Sequence, residues 1–194
     1  MSIFSFLLFV FISSFTPGPN NFLAMTYANQ HGLKRSIRFC FGVAFGFFIL
    51  TSLCSFFNIV LINILPIIEL PLKILGVAYM LYLAFKILTS KNSTDPDEKY
   101  DKNLFIVGIF LQFVNPKGIL FGLTVVSTFI LPYYHSYSSF LLFSLFLGAV
   151  GLMSTFSWSL FGSIFQKLLL KHTQLFNISM AILLVFSAIS IVVN

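Results

Sequence analysis

Long runs of apolar residues, separated by short polar segments, make up most of this chain. Segments such as 39–62 are apolar on every side rather than on one face, which is typical of helices that lie in lipid. The strict alternation of a membrane β-strand is missing. The pattern predicts an all-α membrane protein, a single domain over 1–194, with six transmembrane helices at 2–28, 37–63, 66–88, 104–131, 137–165 and 174–193.

Polar breaks interrupt the first and the fourth of these helices. Proline cannot continue a helix without losing a hydrogen bond, and freed backbone groups in a bilayer need a cavity or other protein around them. Transporters bind their substrates at such broken helices. We therefore predict a substrate site made of Thr16, Pro17, Gly18, Pro19, Asn20 and Asn21 from the first break, and Asn115, Pro116 and Lys117 from the second.

A charged linker at 90–103 divides the chain into halves 1–89 and 104–194, and we expect a solvated cytoplasmic loop there. Each half has three predicted helices, so the halves must have opposite topology, as in inverted repeats. The breaks fall at matching places and are expected to face one cavity. There, helix N-termini attract a carboxylate, C-termini attract an ammonium, and asparagine side chains add neutral partners. These features suit a zwitterionic amino acid.

Lys117 is the one charged residue that the helix assignment places deep in a span. A lysine at the bilayer centre costs about 2.5–3.5 kcal/mol on insertion scales and so needs a partner. A substrate carboxylate or the C-terminus of a half-helix would serve, whereas a position nearer the interface would need neither. Tyr79 and Gln112 are secondary candidates for substrate contact, although such tyrosines are more often core residues.

The basic residues lie in alternate connections of the chain. They are Lys34, Arg35 and Arg38, then Lys91, Lys99 and Lys102, then Lys167 and Lys171. The positive-inside rule places these connections in the cytoplasm and both termini outside. Topology thus accounts for the net charge of +6 without a nucleic-acid partner. The small residues Gly42 and Gly46 permit close helix packing, either within the monomer or, alternatively, in a homodimer.

Several kinds of chemistry are excluded by the residues present. Cys40 and Cys54 share one apolar segment, and no histidine has a partner at ligand spacing, so neither a metal nor another cofactor is predicted. The spans hold no nucleophile-and-base motif, and the chain has no phosphate-binding glycine loop. An enzyme or an ATP-driven pump is therefore not expected, while a passive channel stays open as an alternative.

Taken together, these motifs resemble the lysine exporter/RhtB family of bacterial amino-acid exporters. The resemblance covers essentially the whole chain and rests on the breaks at 16–21 and 115–117, on Gly42 with Gly46, and on the stretch 76–81. The segment 126–132 and Asn177 are most similar to the cysteine and O-acetylserine exporter subgroup.

This resemblance implies a multi-pass secondary exporter of the bacterial inner membrane, so the termini that the loop charges place outside would be periplasmic. It would carry small neutral amino acids such as cysteine or O-acetylserine by antiport with protons. Homoserine, threonine or leucine are alternative substrates. The spans offer no carboxylate for the proton apart from Glu69, so the resemblance alone supplies the coupling ion.

Overall fold

The computed structural model describes residues 2–89, 103–165 and 171–193, and within these ranges it contains helices and no strand. The predicted loop at 90–103 falls almost wholly outside the described residues. The helices are α1 (Ile3–Phe15), α2 (Pro19–His31), α3 (Leu33–Phe56), α4 (Asn58–Thr89), α5 (Leu104–Val114), α6 (Pro116–Val125), α7 (Tyr137–Ile164) and α8 (Thr173–Val193), with a π-helical turn at Val126–Ile130 after α6.

Two kinds of element are long and apolar enough to cross a membrane, single helices and bent helix pairs. Four helical stretches are long and apolar enough to cross a bilayer by themselves: Leu33–Phe56, Pro66–Thr89, Tyr137–Ile164 and Thr173–Val192. The α1–α2 and α5–α6 pairs are bent by 49° and 67°, and with each pair counted as one span the total is six. The predicted all-α membrane fold with broken first and fourth helices is confirmed.

The connection between the second and third predicted helices was misplaced. Pro66 suggested a boundary near residue 65. In the structure α3 ends at Phe56, and α4 begins at Asn58 and continues through both Pro66 and Pro71. A proline removes one intrahelical hydrogen bond, and in lipid the rest of the backbone has no better partner than the helix itself. The preceding turn, between α2 and α3, is made by Gly32 at φ 81°, in the left-handed region that favours glycine.

Helix α3 lies at the centre of the packing, against both α5 and α7, while α2 packs on α7 and α4 pairs with α8. The order of elements is the same in both halves, a bent pair followed by two long helices. Much of α4 and α8 is exposed, for instance Ile74, Phe85 and Phe186. We infer that these two helices meet the lipid and that the interior is formed around α3 and α7.

Glycines allow α3 and α5 to approach closely. A Cβ on Gly42 would overlap the carbonyl of Phe105, and one on Gly108 would lie 2.5 Å from the carbonyl oxygen of Phe39. On the next turn, a Cβ on Gly46 would lie 3.0 Å from the Cβ of Gln112. The small-residue pair Gly42 and Gly46 therefore packs within the chain, and a homodimer would have to use another surface.

We expect Gly108→Ala to destabilise the protein by about 1–3 kcal/mol, because overlap with the backbone of α3 outweighs the roughly 1 kcal/mol gain in helix propensity. Gly122→Ala in α6 is the matched control, since its Cβ would meet Leu50 at an ordinary 3.5 Å. Thermal unfolding in detergent should show a lower melting temperature for Gly108→Ala alone. Equal or higher melting of Gly108→Ala would contradict this account of the helix crossing.

Candidate functional site

A cavity of about 60 Å³ lies between the two breaks. It has room for a few water molecules, since one water needs roughly 10–15 Å³ on this measure. Its lining is Ser14, Gly18, Asn20, Asn21, Val43, Phe47, Gln112, Asn115, Lys117, Gly118, Phe121, Gly151, Ser154 and Thr155. The two breaks, far apart in the sequence, thus meet at one polar space inside an apolar bundle.

Most of the residues predicted for the site lie at this cavity. Those on its wall are Gly18, Asn20, Asn21, Asn115, Lys117 and the secondary candidate Gln112. Thr16 and Pro17 are joined to the wall through Lys117, and Pro19 and Pro116 are the first residues of α2 and α6. Tyr79 is half-buried on α4 and is not part of the lining.

Lys117 crosses from the second break to the first. Its Nζ donates to the carbonyl oxygen of Thr16 at 3.0 Å, to Thr16 Oγ1 at 2.8 Å and to the carbonyl oxygen of Pro17 at 2.9 Å. An ammonium has three donors and no acceptor, so all of its hydrogens are used. The negative end of the α1 dipole therefore faces this charge, and the C-terminus of a half-helix is the partner that the structure gives to Lys117.

The carbonyl oxygen of Ser14, two residues before Thr16, also has partners from other helices. Asn21 Nδ2 of α2 donates to it at 2.8 Å, and Ser154 Oγ of α7 lies 2.7 Å away. Asn21 Nδ2 reaches the carbonyl oxygen of Thr16 as well, at 3.1 Å. The last carbonyls of a helix have no partner within it, so these side chains replace the water that a bilayer does not supply.

Two further contacts complete the end of α1. Trp158 Nε1 of α7 donates to the carbonyl oxygen of Phe15 at 3.2 Å, and the hydroxyl of Ser187 on α8 donates to that of Pro17. Trp158 is therefore bonded directly to the first break. Helices α2, α6, α7 and α8 all hold the C-terminus of α1.

The N-termini of α2 and α6 are left open in contrast. Each helix begins with a proline, Pro19 or Pro116, and neither has a side-chain hydrogen bond to its first turn. Asn115, at the N-cap position of α6, has the right chemistry for a cap but does not make one. The first-turn amides of both helices therefore direct partial positive charge toward the space between the breaks.

Three buried acceptors at the cavity have no partner among the described residues. Asn20 donates through Nδ2 to Gln112 Oε1 at 2.7 Å, which leaves Asn20 Oδ1 unpaired. Asn115 Oδ1 and Ser14 Oγ are buried without a partner as well. Each such atom costs about 1–3 kcal/mol, so the cavity favours a ligand that brings N–H donors.

Gly118 is needed for the contact between Asn20 and Gln112, because a Cβ at this position would overlap Gln112 Nε2. Other lining residues were missed by the sequence reasoning. Ser154 and Thr155 had a signal, since they open a hydroxyl-rich stretch in the otherwise apolar α7. Ser14 had none beyond its nearness to the break, and the apolar wall of Val43, Phe47 and Phe121 looks like any other core.

Relatives of known name match the chain over nearly its full length. A protein named "Cysteine/O-acetylserine efflux protein" from Klebsiella pneumoniae is 38% identical over 190 residues, which cover 98% of this chain and 96% of the relative. Proteins of the same name from Salmonella typhimurium and Escherichia coli are 37% identical, over 98% and 96% of this chain and 97% and 95% of the relatives. No solved structure gives a significant match.

The family profile described as "LysE type translocator" matches residues 11–194. This range includes both breaks, every helix from α2 to α8 and all of the cavity lining. The chain therefore belongs to the LysE type translocators, and it is a multi-pass membrane transport protein rather than an enzyme.

Proposed function

We propose that this protein exports small neutral amino acids, with cysteine and O-acetylserine as substrates, across the bacterial inner membrane in exchange for protons. The names of the relatives support the substrate class. The observation that carries the proposal is the pairing of three unpartnered buried acceptors with two uncapped helix N-termini at one cavity.

The two charged ends of an α-amino acid match the two sets of groups at the cavity, the unpartnered acceptors and the uncapped helix N-termini. Its ammonium would donate to Asn20 Oδ1, Asn115 Oδ1 and Ser14 Oγ, the acceptors that have no partner. Its carboxylate would accept from the first-turn amides of α2 and α6, where the helix dipoles favour negative charge. The cavity of about 60 Å³ holds only a few waters in this arrangement, so the breaks must separate to admit a substrate. A small side chain, placed against Phe47 and the hydroxyl of Ser154, requires the least opening.

Lys117 stays in the proposed site with a changed role. Its three donors are used by Thr16 and Pro17, so in this arrangement it gives positive potential to the cavity but no hydrogen bond to the ligand. Thr16 and Pro17 then hold Lys117 in place and do not contact the ligand. Pro19 and Pro116 begin α2 and α6, whose first-turn amides stay available to it. A positive potential also disfavours cationic substrates.

Exchange across the membrane needs a site that is reached from either side in turn. We place the connections after α2, α4 and α7 in the cytoplasm and both termini in the periplasm, following the basic residues of the loops. The two halves are then inverted repeats. The pairing of α3 with α7 and of α4 with α8 supports this relation, because a pseudo-two-fold axis would exchange the members of each pair.

Uptake into inside-out vesicles, which reports export, tests the proposed substrate class. We expect cysteine and O-acetylserine to compete at least tenfold more strongly than lysine, glutamate or phenylalanine, because the cavity is small and positive in potential. Accumulation against a gradient should collapse when a protonophore is added. Uptake that never exceeds equilibrium would indicate a passive channel, and stronger competition by homoserine, threonine or leucine would reassign the substrate.

Alanine variants test the unpaired acceptors at the cavity. Asn115→Ala should raise the half-saturating substrate concentration about 10–100-fold, since a hydrogen bond to a charged group contributes about 1.5–3 kcal/mol. Ser14→Ala should raise it by a similar factor, since the same ammonium would donate to Ser14 Oγ. Ser144→Ala is the matched control, because Ser144 Oγ is also buried and unpaired but lies away from the cavity.

Transport kinetics of equally expressed variants test whether these acceptors contact the substrate. The assignment fails if Ser14→Ala and Asn115→Ala have the same half-saturating concentration as Ser144→Ala.

A further inference from the structure

Lys117 is the one titratable side chain among the described residues that line the cavity. Glu69, the acidic residue of the described spans, forms an ion pair with Lys73 at 2.9 Å on α4 and is not part of the lining. A proton that is exchanged for substrate at this cavity therefore has one side chain on the described wall that can bind it.

The contacts of Lys117 distinguish its two protonation states. The hydroxyl of Thr16 gives its hydrogen to the carbonyl oxygen of Ser13 at 3.1 Å, so toward Lys117 it is an acceptor like the two carbonyls. An ammonium satisfies all three oxygens, whereas a neutral amine has two hydrogens and a lone pair. The lone pair would face an oxygen, so loss of the proton weakens the connection between the breaks.

We propose that Lys117 is the proton-binding site of this transporter, and that its protonated form latches the second break onto the first. This inference rests on the proposed exchange of an amino acid for a proton. Water on the periplasmic side supplies a proton to the neutral amine, and the bond that forms is the third N–H of Nζ. On the cytoplasmic side that bond breaks, the proton returns to water, and α6 is released from the end of α1.

The surroundings of the latch contain no competing charge among the described residues. The neighbours are Thr16 and Pro17 at the end of α1, Gly18 and Asn20 on α2, Val43 and Phe47 on α3, Gln112 on α5, Ser154 on α7 and Ser187 on α8. On α4, a Cβ on Gly76 would lie 3.0 Å from Pro116, while the titratable Glu69, Lys73, Tyr79, Tyr82 and Lys86 of that helix lie off the cavity. Transport should therefore follow the protonation of a single group.

Removal of one acceptor tests the latch without removing the lysine. Thr16→Val deletes the oxygen 2.8 Å from Nζ, and Thr16→Ser retains it as the matched control. Binding the proton then requires a higher proton concentration, so the midpoint of the transport pH profile should move to lower pH, by about tenfold in proton concentration. Proteoliposomes that contain the full chain, with transport measured from pH 5 to 9, give this midpoint.

The result expected is a displaced midpoint for Thr16→Val and the wild-type midpoint for Thr16→Ser. Coincident midpoints of the two variants would overturn the proposal. Size-exclusion elution and melting temperature in detergent verify that both variants are folded before they are compared.

Substitution of the lysine tests the proton itself. Proteoliposomes with an internal pH dye and radiolabelled O-acetylserine report protons moved per substrate moved. Lys117→Gln binds no proton and should move none with its residual substrate flux. Lys117→Arg keeps donors for the oxygens but does not release its proton, so its net transport should fall at least tenfold, with a flat pH profile.

A wild-type ratio of protons to substrate in Lys117→Gln would overturn the assignment, as would a wild-type pH profile in Lys117→Arg. Net movement of substrate by wild-type vesicles without any movement of protons would also overturn it, yet leave amino-acid export standing. Wild-type vesicles that exchange no substrate would contradict the proposed function instead.

Discussion

The C-terminus of α1 ends inside an apolar bundle, and its carbonyl groups have no water to bind. In lipid each unpaired group costs several kcal/mol, so donors must come from the protein. The structure supplies them from α2, α6, α7 and α8. The position of Lys117, the hydrogen bond from Trp158 to Phe15 and the closeness of the two breaks all follow from this requirement. The cavity exists because these helices converge on one helix end.

The two kinds of helix end at the breaks differ in their hydrogen bonds, and in the proposed site this difference separates the groups that support the site from those that would bind the substrate. The carbonyl end of α1 is saturated with donors, whereas the amide ends of α2 and α6 have no side-chain cap and the nearby oxygens of Asn20 and Asn115 are unpaired. Ser144 Oγ is buried and unpaired away from the cavity as well, so one open acceptor is not enough to indicate a site. Three of them beside two uncapped helix starts are more than a purely structural kink requires, since each costs about 1–3 kcal/mol. The open groups are those that an amino acid would satisfy.

The sequence was sufficient for features that depend on local chemistry. Apolar length predicts the spans, and the prolines at 17, 19 and 116 predict the breaks, because bilayer thickness and proline geometry act without regard to the rest of the fold. The boundary predicted from Pro66 was wrong, because a helix in lipid tolerates a proline and α4 continues through it. The partner of Lys117 was left open between a substrate and a helix end, because only the folded chain brings Thr16 to it. Ser14 and Ser154 needed the same three-dimensional information.

The contacts between the breaks are reciprocal, because each break has a side chain that bonds to the other half of the chain. Asn20 and Lys117 occupy the same place, directly after the proline that begins α2 or α6. Each reaches across to the other half, Asn20 to Gln112 on α5 and Lys117 to Thr16 at the end of α1. One crossing contact is neutral and the other is charged. Only the charged contact can change with a proton, so in the proposed exchange the break that holds Lys117 is the one that would respond to the proton gradient.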